Sequence, residues 1–206
     1  MSITEKGEAA VAALAAAFEA ADVAVAADSP SFAEAVGLYR GSSLTATDVP
    51  PARAAACTHW DAAIAAARGT PGAGLAEALA ALEPAIAWMP LTEMYDDSLD
   101  ADQAFGMVVG PWGSPISARD CGFGLLLMGP NILYPRHHHV AREVYYVISG
   151  TADWMRGDED WAPRAPGSAI YHPSGVPHAT RTGAEPLLAV ASWISDLDSK
   201  VFLTDG

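Results

Sequence analysis

Residues 137–150 read HHHVAREVYYVISG, and whether they form a barrel wall or a surface loop decides the fold. His137, His139, Glu143 and Tyr145 all carry odd numbers, and in an extended strand alternate side chains share a face. Three of the chain's six histidines are consecutive here. Imidazole nitrogen combined with one carboxylate suits a first-row divalent ion such as zinc, iron, manganese, nickel or cobalt, and disfavours calcium and magnesium. His137, His139 and Glu143 are therefore candidate ligands of one divalent transition-metal ion. The segment PSGVPHATR offers His178 as a fourth, from a neighbouring strand. His138 has the opposite parity and is expected to point away. An exposed histidine-rich turn would explain neither the acid at matching parity nor the second histidine in its proline–glycine frame.

Outward from this stretch, the chain after MPLTEMYDDSLD breaks into short apolar segments: AFGMVVG, GFGLLLMG, EVYYVISG, TADWMRG, SAIYHP, HATRTG and LLAVASWI. Strands separated by Gly, Pro and Asp at this spacing predict a mainly β domain, a sandwich or barrel, over 90–206. RGDED is expected as a solvated hairpin tip. The even positions Val144, Tyr146 and Ile148 are apolar as well, whereas a wall wet on its outside would be polar there. Something must cover them: N-terminal helices for part of the face, with a homodimer left open.

Residues 1–89 are alanine-rich and predict an α-helical segment packing on that barrel. Val11, Leu14, Phe18 and Ala21 recur at three- and four-residue spacing, which predicts a helix within 5–26. Ser31 and Glu34 have the capping-box pattern for a short helix ending near Gly41. Pro50-Pro51 predicts a third helix stopping at Gly69-Thr70-Pro71-Gly72, and LAEALAALEPAIAW a fourth. His59 stands alone here and is expected to be structural or exposed.

With 206 residues, 51% of them hydrophobic and 17% charged, the chain can bury a sizeable core. The net charge of -14 argues against nucleic acid and anionic membrane surfaces, which reward Lys/Arg patches. No apolar run reaches the roughly 18 residues of a membrane span. MSITEKGEAA lacks the basic start and apolar run of a secretory signal. A cytoplasmic, soluble protein is expected, with Cys57 and Cys121 as free thiols.

The frame around the histidines is similar to a known one. Gly129-x5-Pro135 leads into His137-x-His139-x3-Glu143-x6-Gly150, and Gly167-x5-Pro173-x-Gly175-x2-His178 follows after 16 residues. This resembles the two motifs of the cupins, with the closing Asn of the second replaced by Thr182. The resemblance covers roughly residues 100 to 197. It implies a double-stranded β-helix (jelly-roll) barrel and a metal, and leaves the reaction open because one fold hosts many chemistries.

Tyr145 narrows the choice. A phenol is a poor base at neutral pH, but a nearby divalent cation stabilises its phenolate. Tyr134 and Trp193 offer π-faces that suit an onium group. HxHxxxExY, the second-motif histidine, Tyr134 upstream, Trp193 downstream and a helical N-terminal segment together resemble the cupin dimethylsulfoniopropionate (DMSP) lyases, the DddL, DddQ and DddK group. The resemblance implies His137, His139, Glu143 and His178 as ligands and Tyr145 as base. It implies Tyr134 and Trp193 as pocket residues, with Tyr134 a second catalytic candidate. It also implies a small zwitterionic substrate and β-elimination to dimethyl sulfide and acrylate. The rival readings are another metal-dependent cupin enzyme, a dioxygenase or isomerase, and a non-enzymatic cupin sensor.

Overall fold

The computed structural model describes residues 1–96 and 98–204. Helix α1 (Ile3–Glu19) opens on a capping box, Glu5 N donating to Ser2 Oγ (3.2 Å) and Ser2 N to Glu5 Oε2 (2.6 Å). It stops well short of 26, because Asp22–Val23 (β1) pairs in parallel with Ser168 and Ala169 and extends a sheet edge. Helix α2 (Ser29–Gly41) starts two residues before Ser31, with Pro30 in its first turn and no side-chain cap. Glu34 is thus no capping residue; its carboxylate receives both Arg142 guanidinium nitrogens, at 2.8 and 2.7 Å. Pro50-Pro51 opens no helix. Two prolines hold their neighbourhood extended, Ala52 bridges Ala87, and α3 (Trp60–Ala67) begins only after a 3-10 turn at Ala55–His59. Helices α4 (Ala73–Ala80) and α5 (Leu91–Met94) complete the set among the described residues.

The remaining strands are β2 (Thr45–Ala46), β3 (Trp88–Pro90), β4 (Gln103–Gly110), β5 (Ile116–Ser117), β6 (Gly122–Met128), β7 (Leu133–His138) and β8 (Glu143–Ser149). They continue with β9 (Ala152–Arg156), β10 (Ala162–Arg164), β11 (Ser168–His172), β12 (His178–Thr182), β13 (Leu187–Trp193) and β14 (Phe202–Leu203). Among the described residues they form a nine-stranded sheet, β1-β11-β8-β13-β6-β4-β5-β2 with β3 on β4, facing a five-stranded sheet, β10-β9-β12-β7-β14. The helical segment is therefore not free of strands: β1, β2 and β3 all join the larger sheet.

That sheet is buried on both faces. Inward, Tyr145 and Val147 of β8 pack with Leu126, Met128, Trp154 and Ile170. Outward, Val144, Tyr146 and Ile148 join Leu14, Phe18, Tyr39 and Leu79 of the helices in a second buried cluster. Phe18 meets Tyr146 edge-on at 6.0 Å, and Tyr146 keeps only 1% of its surface exposed. The helices are what covers this face, which is why the strand sequence runs apolar without alternation.

Two motif positions have visible structural work. Gly150 adopts φ +76°, and a Cβ there would run into the Pro186 carbonyl oxygen, so glycine is required twice over. Thr182, where the cupin pattern has Asn, donates from Oγ1 to Gly129 O (2.7 Å) and accepts from Ile132 N (2.8 Å). The substituted residue thus ties the end of the second motif to the start of the first.

Candidate metal centre

His137 lies near the end of β7, His139 just past it in the β7–β8 loop, Glu143 at the start of β8, and His178 at the start of β12 directly opposite His137. The four do not share one strand face. The chain turns through Val140–Arg142, so Glu143 approaches from the opposite sheet, and the donors converge from two walls. One nitrogen from each of His137, His139 and His178 falls within 4.8 Å of the others. Glu143 Oε2 is 3.1 Å from His139 Nε2 and 3.3 Å from His178 Nε2. All four residues are buried, none more than 3% exposed.

The backbone decides which nitrogen each ring presents. Nδ1 of His137 lies 2.8 Å from Pro135 O, that of His139 2.8 Å from Ala141 O, and that of His178 3.0 Å from Val176 O. A carbonyl oxygen only accepts, so each Nδ1 carries a proton and each ring, in its neutral form, turns its Nε2 lone pair inward. Three lone pairs and a carboxylate converging in a dry cavity are compatible with a bound divalent metal.

The charges agree. Burial, then neighbouring His178, holds His137 well below the usual histidine value, so it is neutral at pH 7. Burial alone would raise Glu143, but the His139 charge and hydrogen bond overcome it and hold the carboxyl well below its usual range. Burial lowers His139 in turn, and the Glu143 charge reverses that to a net rise.

Trp193 does more than line a wall: its Nε1–H donates to Glu143 Oε1 at 3.0 Å, and its ring lies 5.0 Å from that of His139. Tyr134 stacks on His137 at 4.0 Å and 19°. Strand alternation alone would put residues 134 and 137 on opposite faces. An irregularity in the β7–β12 pairing, where Thr180 meets Tyr134 and His178 meets His137, brings both inside. Tyr145 faces the same cavity, and burial, then the Glu143 charge, pushes its phenol well above its usual value. The cavity has aromatic walls, including Phe105, Tyr134 and Trp193. Among the described residues its lining contains no lysine or arginine.

His138 does point away, its Nδ1 3.0 Å from Thr204 Oγ1 and its ring on Phe202. His59 pairs with Asp102 at 2.8 Å, a link from the helical segment to the turn that precedes β4. Two residues of the site escaped the sequence reading. Tyr95, after α5, stacks parallel to Tyr134 at 6.4 Å, and burial pushes its phenol up to about 12; nothing in TEMYDD marks it. His172 is fully buried against His178. Its signal was the parity of SAIYHP, which puts it on the face of Ile170.

A family profile describing dimethylsulfoniopropionate lyases matches residues 40–189. The chain belongs to the DMSP lyase family. It is 36% identical over 94 residues to the dimethylsulfoniopropionate lyase DddQ of Ruegeria pomeroyi, a match covering 45% of this chain and 46% of that protein. The chain thus spans about half the length of that curated relative. Among solved structures, the crystal structure of DMSP lyase DddQ from Ruegeria pomeroyi DSS-3 is similar with a TM-score of 0.65 and 27% identity, over 79% of this chain and 82% of that one. A chain from the crystal structures of the DMSP lyases RdDddP and RnDddQII is similar in fold with a TM-score of 0.72 at 20% identity, over 99% of this chain and all of that one. For this member of the DMSP lyase family, the cupin-like sandwich with N-terminal helices extends over the whole matched length.

Proposed function

We infer that the chain is a metal-dependent DMSP lyase, a carbon–sulfur lyase that cleaves dimethylsulfoniopropionate to dimethyl sulfide and acrylate. The observation that carries this reading is the set of three imidazoles whose Nδ1 atoms are spent on backbone carbonyls, leaving three Nε2 lone pairs beside Glu143. His137, His139, Glu143 and His178 would hold the ion. Bound there, a divalent metal supplies Lewis acidity toward a carboxylate and so acidifies the adjacent Cα–H. Family membership supports the substrate, and the cavity supports its orientation. With no lysine or arginine in the lining, a substrate carboxylate has the cage as its one cationic partner among the described residues. The sulfonium end suits the faces of Tyr134 and Trp193.

Tyr145, two residues along β8 from Glu143 and lining the same cavity, would take the Cα proton. The Cα–H electron pair becomes the new C=C bond, the Cβ–S bond breaks, and dimethyl sulfide leaves neutral. The proton stays on the phenol until solvent removes it. Burial and Glu143 favour the protonated phenol, so the base role depends on positive charge in the cage. Tyr134, stacked on His137, would orient substrate and ligand ring together.

The test is headspace detection of dimethyl sulfide from purified protein and DMSP, with and without chelator, in air and under nitrogen. Release that needs the metal and ignores oxygen is expected; a dioxygenase would need oxygen. Tyr145→Phe should lower turnover by about 10²–10⁴-fold with metal content unchanged, the usual loss for a general base. Undiminished turnover would remove Tyr145 from the mechanism.

A further inference from the structure

His172 is 0% exposed, and neither of its ring nitrogens has a hydrogen-bond partner. A neutral imidazole always carries one N–H and one lone pair, and leaving both unmet in a dry interior is costly. Its surroundings suggest what the lone pair serves. In the antiparallel pairing of β11 with β8, His172 stands directly opposite Glu143, and such partners project from the same face. One nitrogen of His172, one of His178 and a carboxylate oxygen of Glu143 all lie within 4.8 Å of one another. Two imidazoles and a carboxylate form a recurrent donor set for divalent transition metals.

We propose that Glu143, His172 and His178 form a second seat for the metal ion, alternative to the one completed by His137 and His139. Glu143 and His178 belong to both seats, so one ion occupies one seat at a time. The His172 and His178 rings are now stacked at 3.9 Å and 9°, and parallel rings set their nitrogens side by side instead of converging. Ligation by both requires a tilt. His178 is held by Val176 O, whereas no hydrogen bond opposes rotation of His172, so His172 is the ring that turns. His172 does not line the substrate cavity. It lines a smaller pocket with Trp154, Arg156 and Ile170. An ion in the second seat is withdrawn from substrate toward that pocket.

The proposal rests on the reading of this cage as a metal site, and cobalt binding separates the two. The probe is Co²⁺ alone, added to the full chain, with bound metal measured after gel filtration and by the visible spectrum. The double variant His137→Ala/His139→Ala should still bind one Co²⁺ per chain, at least tenfold more weakly, with a spectrum different from the unmutated protein's. Adding His172→Phe, which keeps a stacked ring and removes both nitrogens, should abolish that binding. Circular dichroism checks folding, and His137→Gln/His139→Gln replaces the alanine pair if it does not fold. A folded double variant that takes up no cobalt, beside a loaded parent, overturns the second seat alone. So does retained cobalt that is indifferent to His172→Phe. A parent that binds no cobalt overturns both readings.

Discussion

Trp193 makes two separable contacts at the site, its ring lying beside His139 and its N–H donating to Glu143. The donation to Glu143 Oε1 fixes the carboxylate whose other oxygen faces His139 and His178. Partners of this kind orient a ligand, and their loss typically costs about 10–100-fold in metal affinity. Trp193→Phe keeps an aromatic wall and deletes the donor. The expected result is a metal dissociation constant raised by about that factor in chelator competition, with KM for DMSP changing less once metal is saturating. If affinity is unchanged and only KM rises, Trp193 acts through its face alone. The same distinction explains what was legible at this scale. Residue type and parity pointed to His137, His139, Glu143 and Tyr145, and the proline–glycine frame of PSGVPHATR to His178. The hydrogen bond from Trp193 depends on a side chain reaching across from a neighbouring strand, which no local pattern encodes.

Between elements, the β7–β8 loop that carries His139 is anchored from outside the barrel. Arg142 in that loop makes a two-pronged bond to Glu34 on α2, so a helix of the cover holds the segment between two proposed ligands. Glu34's carboxyl sits below its usual range, chiefly through the Arg142 hydrogen bond. A depressed carboxylate stabilises the fold fully above the ordinary carboxylate range, and the contribution is lost as pH falls through the lowered value. The pair is partly exposed, so its worth is of the order of 1 kcal/mol or less. Glu34→Gln should therefore melt measurably lower than the parent at pH 7, with the gap closing toward pH 3. A gap constant with pH would mean the pair is not the source. This contact also shows where sequence reading went astray. Ser31 and Glu34 have capping spacing, but Pro30 had already opened α2 at Ser29, freeing Glu34 for a partner more than a hundred residues away. Likewise, the stripe through Val11, Leu14 and Phe18 was legible, whereas the escape of Asp22–Val23 to β11 depends on a sheet edge formed much later in the chain. The barrel strands and their motif glycines were readable because burial on both faces and positive φ leave local marks; the β7 irregularity that turns Tyr134 inward left none.

At the scale of the whole molecule, the outer face of the large sheet belongs to the same buried cluster as the helices. Val144, Tyr146 and Ile148 alternate along β8 with Tyr145 and Val147 of the inner cluster, so the strand that bears Glu143 and Tyr145 is held from both sides. We propose that the helical segment 1–89 and the barrel 90–206 are one cooperative unit, the helices acting as the second wall of the active strand. Leu14, fully buried in α1, tests this far from any proposed ligand. Leu14→Ala should cost about 2–5 kcal/mol, the range for a large-to-small change in a packed core. If the unit is single, the far-ultraviolet helix signal and the near-ultraviolet aromatic signal will fall together at the same lowered temperature. The metal-loaded protein should melt higher by both probes, since an ion that binds only the folded state stabilises whatever unfolds with its site. A helix signal that melts first, leaving the aromatic transition and its metal dependence where they were, would show that the cover is a separate body and that β8 holds its register without it.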